Sequence, residues 1–361
     1  MKKMKVLHVI PNFGVGGAEK LVVDYLMNFN SELTDVMAVS LYANSNSIYD
    51  MAIKENGLKV VYLDKKPGLD ISITKKLKKI IETFKPDVVH SHLYTVKYIL
   101  PIASIAKFKW FHTIHNEPNK DATGLDKIAN KVAFKGKCKP IALSKELATS
   151  VAKYYGIRND VLVINNGVDI EKFSEIKVKK DQLLKELNIP NDALIIGHVG
   201  RFFEQKNHVF IIDIFNYVLK KNDKAQLLLI GDGELKEEIV KKVDELGIKE
   251  NVKFLGVRKD IPNLLSMMDV FLFPSLHEGF PLTLIEAQAT KVRCIISNTI
   301  DEIAILSENT LPVDLNADLE EWYIAITNRS IKNSNFGNIN DYNIKHITDK
   351  LLNAYLSELE S

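Results

Sequence analysis

The chain has 361 residues, 46% of them hydrophobic and 26% charged; this is the composition of a soluble globular protein, too long for one ordinary core and suited to two domains. Its two cysteines, Cys138 and Cys294, exclude a disulfide framework and suit a reducing cytoplasm, the first nine residues lack the apolar region of a signal peptide, and no apolar run approaches the ~20 residues of a spanning helix. The formal charge of +2 hides an asymmetry: residues 1–173 carry 26 Lys+Arg against 17 Asp+Glu, the remainder 22 against 29, so the first half suits an anionic partner, either a phosphate-bearing acceptor or a membrane surface, unless its lysines form only a solvated face.

Taken in order, K-V-L-H-V-I (5–10) reads as a first strand, P-N-F-G-V-G-G (11–17) as a glycine-rich loop, and 18–29 as a helix; such a turn lets backbone approach a bound group closely. Residues 36–41 and 59–63 read as strands. Residues 70–84 form an amphipathic helix with Ile73, Leu77, Ile80, Ile81 and Phe84 on one side and Lys75, Lys76, Lys78 and Lys79 elsewhere, a pattern that suits either an anionic lipid surface or plain solvation. P-D-V-V-H-S-H (86–92) and W-F-H-T-I-H-N-E (110–117) are strands ending in histidines; H-x-H suggests a metal, but no cysteine or carboxylate cluster completes a ligand set. P-I-A-L-S (140–144) leads into a helix through Lys153, V-L-V-I (161–164) is a strand, and N-G-V-D (166–169) is a turn. A Lys-rich polar stretch between Phe173 and Pro190 marks the domain boundary.

The second half repeats the strand–loop–helix rhythm. A-L-I-I-G-H-V-G-R (193–201) is a strand, followed by F-F-E-Q-K-N-H and a helix over 209–219; Arg201 and Lys206 then lie at a strand end beside a helix N-terminus, where two cations suit a diphosphate. Q-L-L-L-I-G-D-G-E (226–234) is a strand with a glycine turn, 234–246 a charged helix, and V-K-F-L-G-V-R (252–258) a further strand. D-V-F-L-F (269–273) is a short buried strand; Pro274, Gly279 and Pro281 force a loop, and a buried helix follows, for which Thr283 can serve as cap with Glu286 three positions on. Two carboxylates, Glu278 and Glu286, thus flank a loop at the C-terminal end of a strand, where open α/β sheets bind ligands, and a helix N-terminus there suits a phosphate. C-I-I-S (294–297) is a strand, 328–343 a loop, and 344–359 a final helix.

The spacing Glu278-x7-Glu286 within E-G-F-P-L-T-L-I-E-A resembles the signature of glycosyltransferase family 4, retaining enzymes of the GT-B fold that use nucleotide sugars, and the resemblance extends over nearly the whole chain, most specifically 195–297. It implies two Rossmann-like domains facing across a cleft: residues 1–175, joined by the final helix 344–361, for the acceptor, and 190–340 for the nucleotide sugar. Carried over residue by residue, it implies that Arg201 and Lys206 clamp the diphosphate, that Glu286 binds the ribose, and that Glu278 takes hydrogen bonds from the donor sugar. Backbone at Gly279, Phe280 and Leu282 would help hold sugar and phosphate; that at Val257 and Arg258 would meet the base, with Gly231 packed near it. Gly16 and Gly17 would face the donor from the other domain, and His115 would line the cleft near the transferred sugar. T-K-V-R (290–293) departs from the small Gly/Pro loop usual in relatives. No D-x-D triplet occurs, so neither metal nor other cofactor is expected. H-V-G-R-F-F-E-Q-K-N-H and P-S-L-H-E-G-F-P-L-T-L-I-E-A-Q-A look like bacterial capsule and exopolysaccharide enzymes. That implies a hexose or N-acetylhexosamine carried on UDP, a lipid-diphosphate-linked acceptor, and a cytoplasmic enzyme peripheral at the inner membrane face; nucleic acid is not an expected partner. The alternatives are a nucleotide-sugar epimerase or hydrolase of the same architecture, and a non-catalytic sugar-nucleotide-binding module.

Overall fold

The computed structural model describes residues 3–14, 16–122, 124–157, 161–175 and 178–360. The chain divides into two compact units, one of residues 1–167 with 342–361 and one of 168–341. The first contains a seven-stranded parallel sheet of β1 (Met4–Ile10), β2 (Thr34–Ser40), β3 (Val60–Tyr62), β4 (Val88–His92), β5 (Lys109–Ile114), β6 (Cys138–Ala142) and β7 (Leu162–Val163), in the order β3-β2-β1-β4-β5-β6-β7. The second contains β8 (Ile195–Val199), β9 (Gln226–Ile230), β10 (Val252–Gly256), β11 (Val270–Phe273), β12 (Arg293–Ser297) and β13 (Thr310–Val313), in the order β10-β9-β8-β11-β12-β13. Both orders reverse direction once, at β1/β4 and at β8/β11, and the crevice at such a reversal is where an open parallel sheet takes a ligand.

Both sheets are covered on two faces, so their strands read as continuous apolar runs rather than alternating ones. Along β1, Leu7 and Val9 enter one core with Ile73, Leu77, Tyr98, Trp110 and Phe134, while Met4 and Val6 enter another with Leu21, Tyr25, Phe111 and Tyr355. This is the two-residue period of a strand buried on both sides. The final helix, Ile344–Glu360, completes that second core through Ile344, Ile347, Leu351 and Tyr355, and Lys139 pairs with its Glu358. In the second unit Ile196, Leu227, Leu229, Phe215 and Trp322 share one core.

Two expectations shift. The division falls after Gly167, ahead of the 173–190 stretch, because helix Ile170–Ser174 packs against helices Ile261–Met267 and Leu282–Ala289 of the second unit. Gly167 itself leaves no room for a side chain, since a Cβ there would sit 2.7 Å from the Cα of Ile344, where the final helix begins. Thr283 is not a cap: the helix starts at Leu282, Pro281 occupies the cap position with no side-chain bond, and the buried Thr283 Oγ1 has no hydrogen-bond partner among the described residues.

Candidate functional site

The C-terminal ends of β8, β9 and β11 meet at the reversal of the second sheet. Gly200 and Arg201 leave β8, Gly231 leaves β9, and the loop 274–281 leaves β11. The backbones approach so closely that a Cβ on Gly231, whose φ is +135°, would sit 2.0 Å from the Gly200 carbonyl; only glycine satisfies both the torsion and the space. Lys206, in the 3-10 turn Glu204–Lys206, lays its stem across Gly200 and places its ammonium over the Phe273 ring at 4.7 Å. That ammonium donates to Glu278 Oε1 at 2.6 Å, with the two side chains only 17% and 7% exposed.

Gln205 and Asn207 fix the same loop. Gln205 Nε2 donates to Glu278 Oε2 at 3.1 Å and to the His277 carbonyl at 2.9 Å, and Asn207 Nδ2 donates to the Pro274 carbonyl at 3.1 Å. Asn207 has φ +56°, one of the few non-glycine residues tolerating the left-handed region. The loop carboxylate is therefore held from a segment about 70 residues away by Lys206 and Gln205, while Asn207 anchors the start of the loop; Gln205 and Asn207 are not among the residues the sequence points to. Their only sequence signal was their place between Arg201 and the next helix.

Arg201 lies at the same sheet edge but is not locked. Its side chain is 69% exposed, 3.9 Å from Glu234 and stacked over Phe203, so one of the two cations is pre-positioned against a carboxylate and the other reaches into solvent. Gly279 is exposed and Phe280 half-buried in the loop; Leu282 opens the helix, and Glu286 is buried in its second turn. Val257, just past β10, is exposed, whereas the Arg258 guanidinium is committed to Asp260 through two bonds of 2.8 and 2.7 Å and to Glu186 at 3.2 Å. The guanidinium thus joins helix Lys180–Glu186 to the loop after β10 and is not free to meet a ligand.

In the first unit, Gly16 holds the cap position of helix Gly17–Asn28 just after β1, and no side chain caps that helix. His115 follows β5 and is half-buried, with Nε2 3.3 Å from His92 Nδ1; His92 Nε2 is 3.1 Å from His8 Nδ1. His90 bonds the Tyr355 hydroxyl at 2.5 Å and Thr113 at 2.7 Å. His8 is the residue that the metal argument lacked: His8, His90 and His92 present ring nitrogens within 4.8 Å of one another. Hydrogen bonds nevertheless occupy every one of those nitrogens but His8 Nε2, so a cation would have to break them.

Burial pushes His8 and His112 down to about 3 and His115 to about 4, and drives His90 and His92 well below the ordinary value, with neighbouring imidazoles adding a smaller push. The folded chain thus keeps these rings neutral where the unfolded chain protonates them. Their contribution to stability is fully present above about pH 6.5 and is lost as the pH falls below it, toward 4 for His115 and toward 3 for His8 and His112, at up to about 1.4 kcal/mol per pH unit for each ring. The denaturant midpoint should therefore drop clearly between about pH 7 and about pH 5, and a flat midpoint over that range would contradict the neutral network.

Comparison with known proteins bears on the whole chain. A family model described as "Glycosyltransferase Family 4" matches residues 15–172, and one described as "Glycosyl transferases group 1" matches 179–309. The UDP-Gal:alpha-D-GlcNAc-diphosphoundecaprenol alpha-1,3-galactosyltransferase of Escherichia coli is 28% identical over 350 residues, covering 88% of this chain and 90% of its own. The capsular polysaccharide biosynthesis glycosyltransferase CapH of Staphylococcus aureus is 25% identical over 378 residues, covering 98% and 99%. Among solved structures, Anabaena Alr3699/HepE in complex with UDP and glucose superposes with a TM-score of 0.81 at 18% identity, covering 98% of this chain and 100% of that one. That likeness shows the same GT-B fold of two Rossmann-like domains.

Proposed function

We propose, from the premise that the chain belongs to glycosyltransferase family 4, that it is a retaining glycosyltransferase moving a hexose or N-acetylhexosamine from UDP to a lipid-diphosphate-linked saccharide in bacterial surface polysaccharide synthesis. The observation that carries the reading is the edge formed by Arg201, Lys206 and Glu278 at the β8/β11 reversal, with Glu286 buried in the helix that follows. The galactosyltransferase relative, whose name gives UDP-Gal as donor and a diphosphoundecaprenol saccharide as acceptor, supports the choice of nucleotide and acceptor. The capsular relative supports the pathway class.

In this reading the diphosphate lies against Arg201 and Lys206, the ribose against Glu286, and the sugar hydroxyls against Glu278. The bond between the anomeric carbon and the β-phosphate oxygen breaks as the acceptor hydroxyl attacks from the same face, and the departing phosphate takes the acceptor's proton. The two cations offset the charge that develops on the leaving group, the work a divalent ion does in other enzymes. Glu278 also tunes Lys206: with its charge paired at 2.6 Å, the lysine is held in place before the donor arrives, and charge that is already oriented needs no reorganisation during the reaction. No helix among the described residues is long and apolar enough to cross a membrane; in this reading the enzyme meets its lipid-linked acceptor at the membrane surface.

The test is UDP release measured in EDTA, with and without a lipid-linked acceptor extract. Release that depends on the acceptor and survives chelation is expected. Release without acceptor would favour a hydrolase, an isomerised nucleotide sugar without UDP release would favour an epimerase, and complete loss in EDTA restored by Mg²⁺ or Mn²⁺ would overturn the cationic clamp.

A further inference from the structure

Helix Gly124–Phe134 has two apolar sides, and only one is used. Ala129, Asn130, Ala133 and Phe134 are buried against the first unit's core. On the outer side Leu125, Ile128 and Val132 are 61%, 62% and 54% exposed, at the i, i+3, i+7 spacing that lines them up along the helix. Lys127, Lys131 and the next residue of the turn, Lys135, are exposed and run beside them. The helix has one acid, Asp126, and it is paired with Lys97 at 3.0 Å. Single exposed apolar residues are ordinary, but three aligned branched side chains flanked by a row of lysines have the pattern of a helix lying in a lipid interface.

The amphipathic helix Ser72–Phe84, which the sequence alone nominated for that task, lacks a spare apolar side: Ile73, Leu77 and Ile81 are spent in the core, and Lys76 donates to the Leu63 carbonyl. Between Ser72 and Phe84 its exposed side offers charge, with Ile71 exposed only at the cap position. It packs on helix Val96–Ala103, which packs in turn on Gly124–Phe134, and all three feed one core cluster. The exposed lysines of Ser72–Phe84 and the apolar stripe of Gly124–Phe134 therefore belong to one helical layer.

We propose that the outer face of helix Gly124–Phe134 docks this chain on an anionic phospholipid bilayer, Leu125, Ile128 and Val132 entering the headgroup–acyl boundary and Lys127, Lys131 and Lys135 meeting phosphates. Charge complementarity selects the occupant, and the inference rests on the lipid-linked-acceptor reading for its biological sense. Sedimentation of the full chain with phosphatidylglycerol-containing vesicles, against phosphatidylcholine alone, reads it without donor or acceptor, so failure of the transferase reading leaves the result untouched. Wild type should bind the anionic vesicles. The triple variant Leu125→Ser, Ile128→Ser, Val132→Ser should bind them about tenfold or more weakly, with UDP binding unchanged as proof of an intact second unit. A second readout is Ile128→Trp. Since Trp110 and Trp322 are both buried, a blue shift of emission on adding anionic vesicles reports entry of position 128. Equal sedimentation of the triple variant and wild type, or a tryptophan at 128 that does not shift, overturns the proposal. So does a triple variant that changes only the oligomeric state, which would make the stripe a contact between copies.

Discussion

Arg201→Ala is expected to lower turnover by about a hundredfold to a thousandfold, the loss typical of removing one preorganised charge-stabilising donor, while leaving the melting temperature nearly unchanged. The asymmetry follows from its surroundings. At 3.9 Å from Glu234, with side chains 69% and 58% exposed, Arg201 makes an ion pair worth about 0–1 kcal/mol to the fold. Lys206→Ala reaches a similar loss of turnover by a different route. It strips the ammonium from a largely buried carboxylate that only Gln205 then contacts in the bonds described, and breaking such a pair costs about 3–5 kcal/mol. The arginine variant is thus the clean probe of chemistry, and the lysine variant mixes chemistry with folding. Steady-state turnover and thermal melts of both variants decide it, and wild-type turnover in Arg201→Ala would remove the residue from the site.

What the sequence made legible follows from where its signals are local. Glu278 and Glu286 stand out because a strand, a proline-glycine loop and a helix follow within 20 residues, and the parallel sheets follow from apolar runs alternating with helical spacing. The contacts that give the site its shape are not local. Gln205 and Lys206 meet Glu278 across more than 70 residues, and His8 meets His92 across 84; no spacing rule reaches that far. Helix Val96–Ala103 is obscured by the proline within it, which normally ends a helix. Helix Gly124–Phe134 is obscured by apolar residues on both of its sides, which blur the period that marks a core-facing helix. Thr283 cannot cap because it lies inside the helix, whose first residue is Leu282 and whose cap position is taken by Pro281.

The two glutamates should separate under titration with UDP alone. Glu286 is buried in the helix and, in the proposed role of ribose contact, would act on nucleotide and nucleotide sugar alike. A charged hydrogen bond of about 1.5–3 kcal/mol lost in Glu286→Gln weakens UDP about ten- to a hundredfold. Glu278 is bonded to Lys206 at 2.6 Å, so Glu278→Gln releases that ammonium from its carboxylate. The freed cation would face the diphosphate more strongly, so UDP affinity should hold or rise even as the sugar exchanges a charged acceptor for a neutral amide and turnover of the intact donor falls. Calorimetric titration of wild type, Glu286→Gln and Glu278→Gln with UDP is the most direct test that this sheet edge holds a nucleotide diphosphate. The expected order of affinity places Glu278→Gln at or above wild type and Glu286→Gln far below both; equal losses in the two variants, or no UDP binding by wild type, would contradict it.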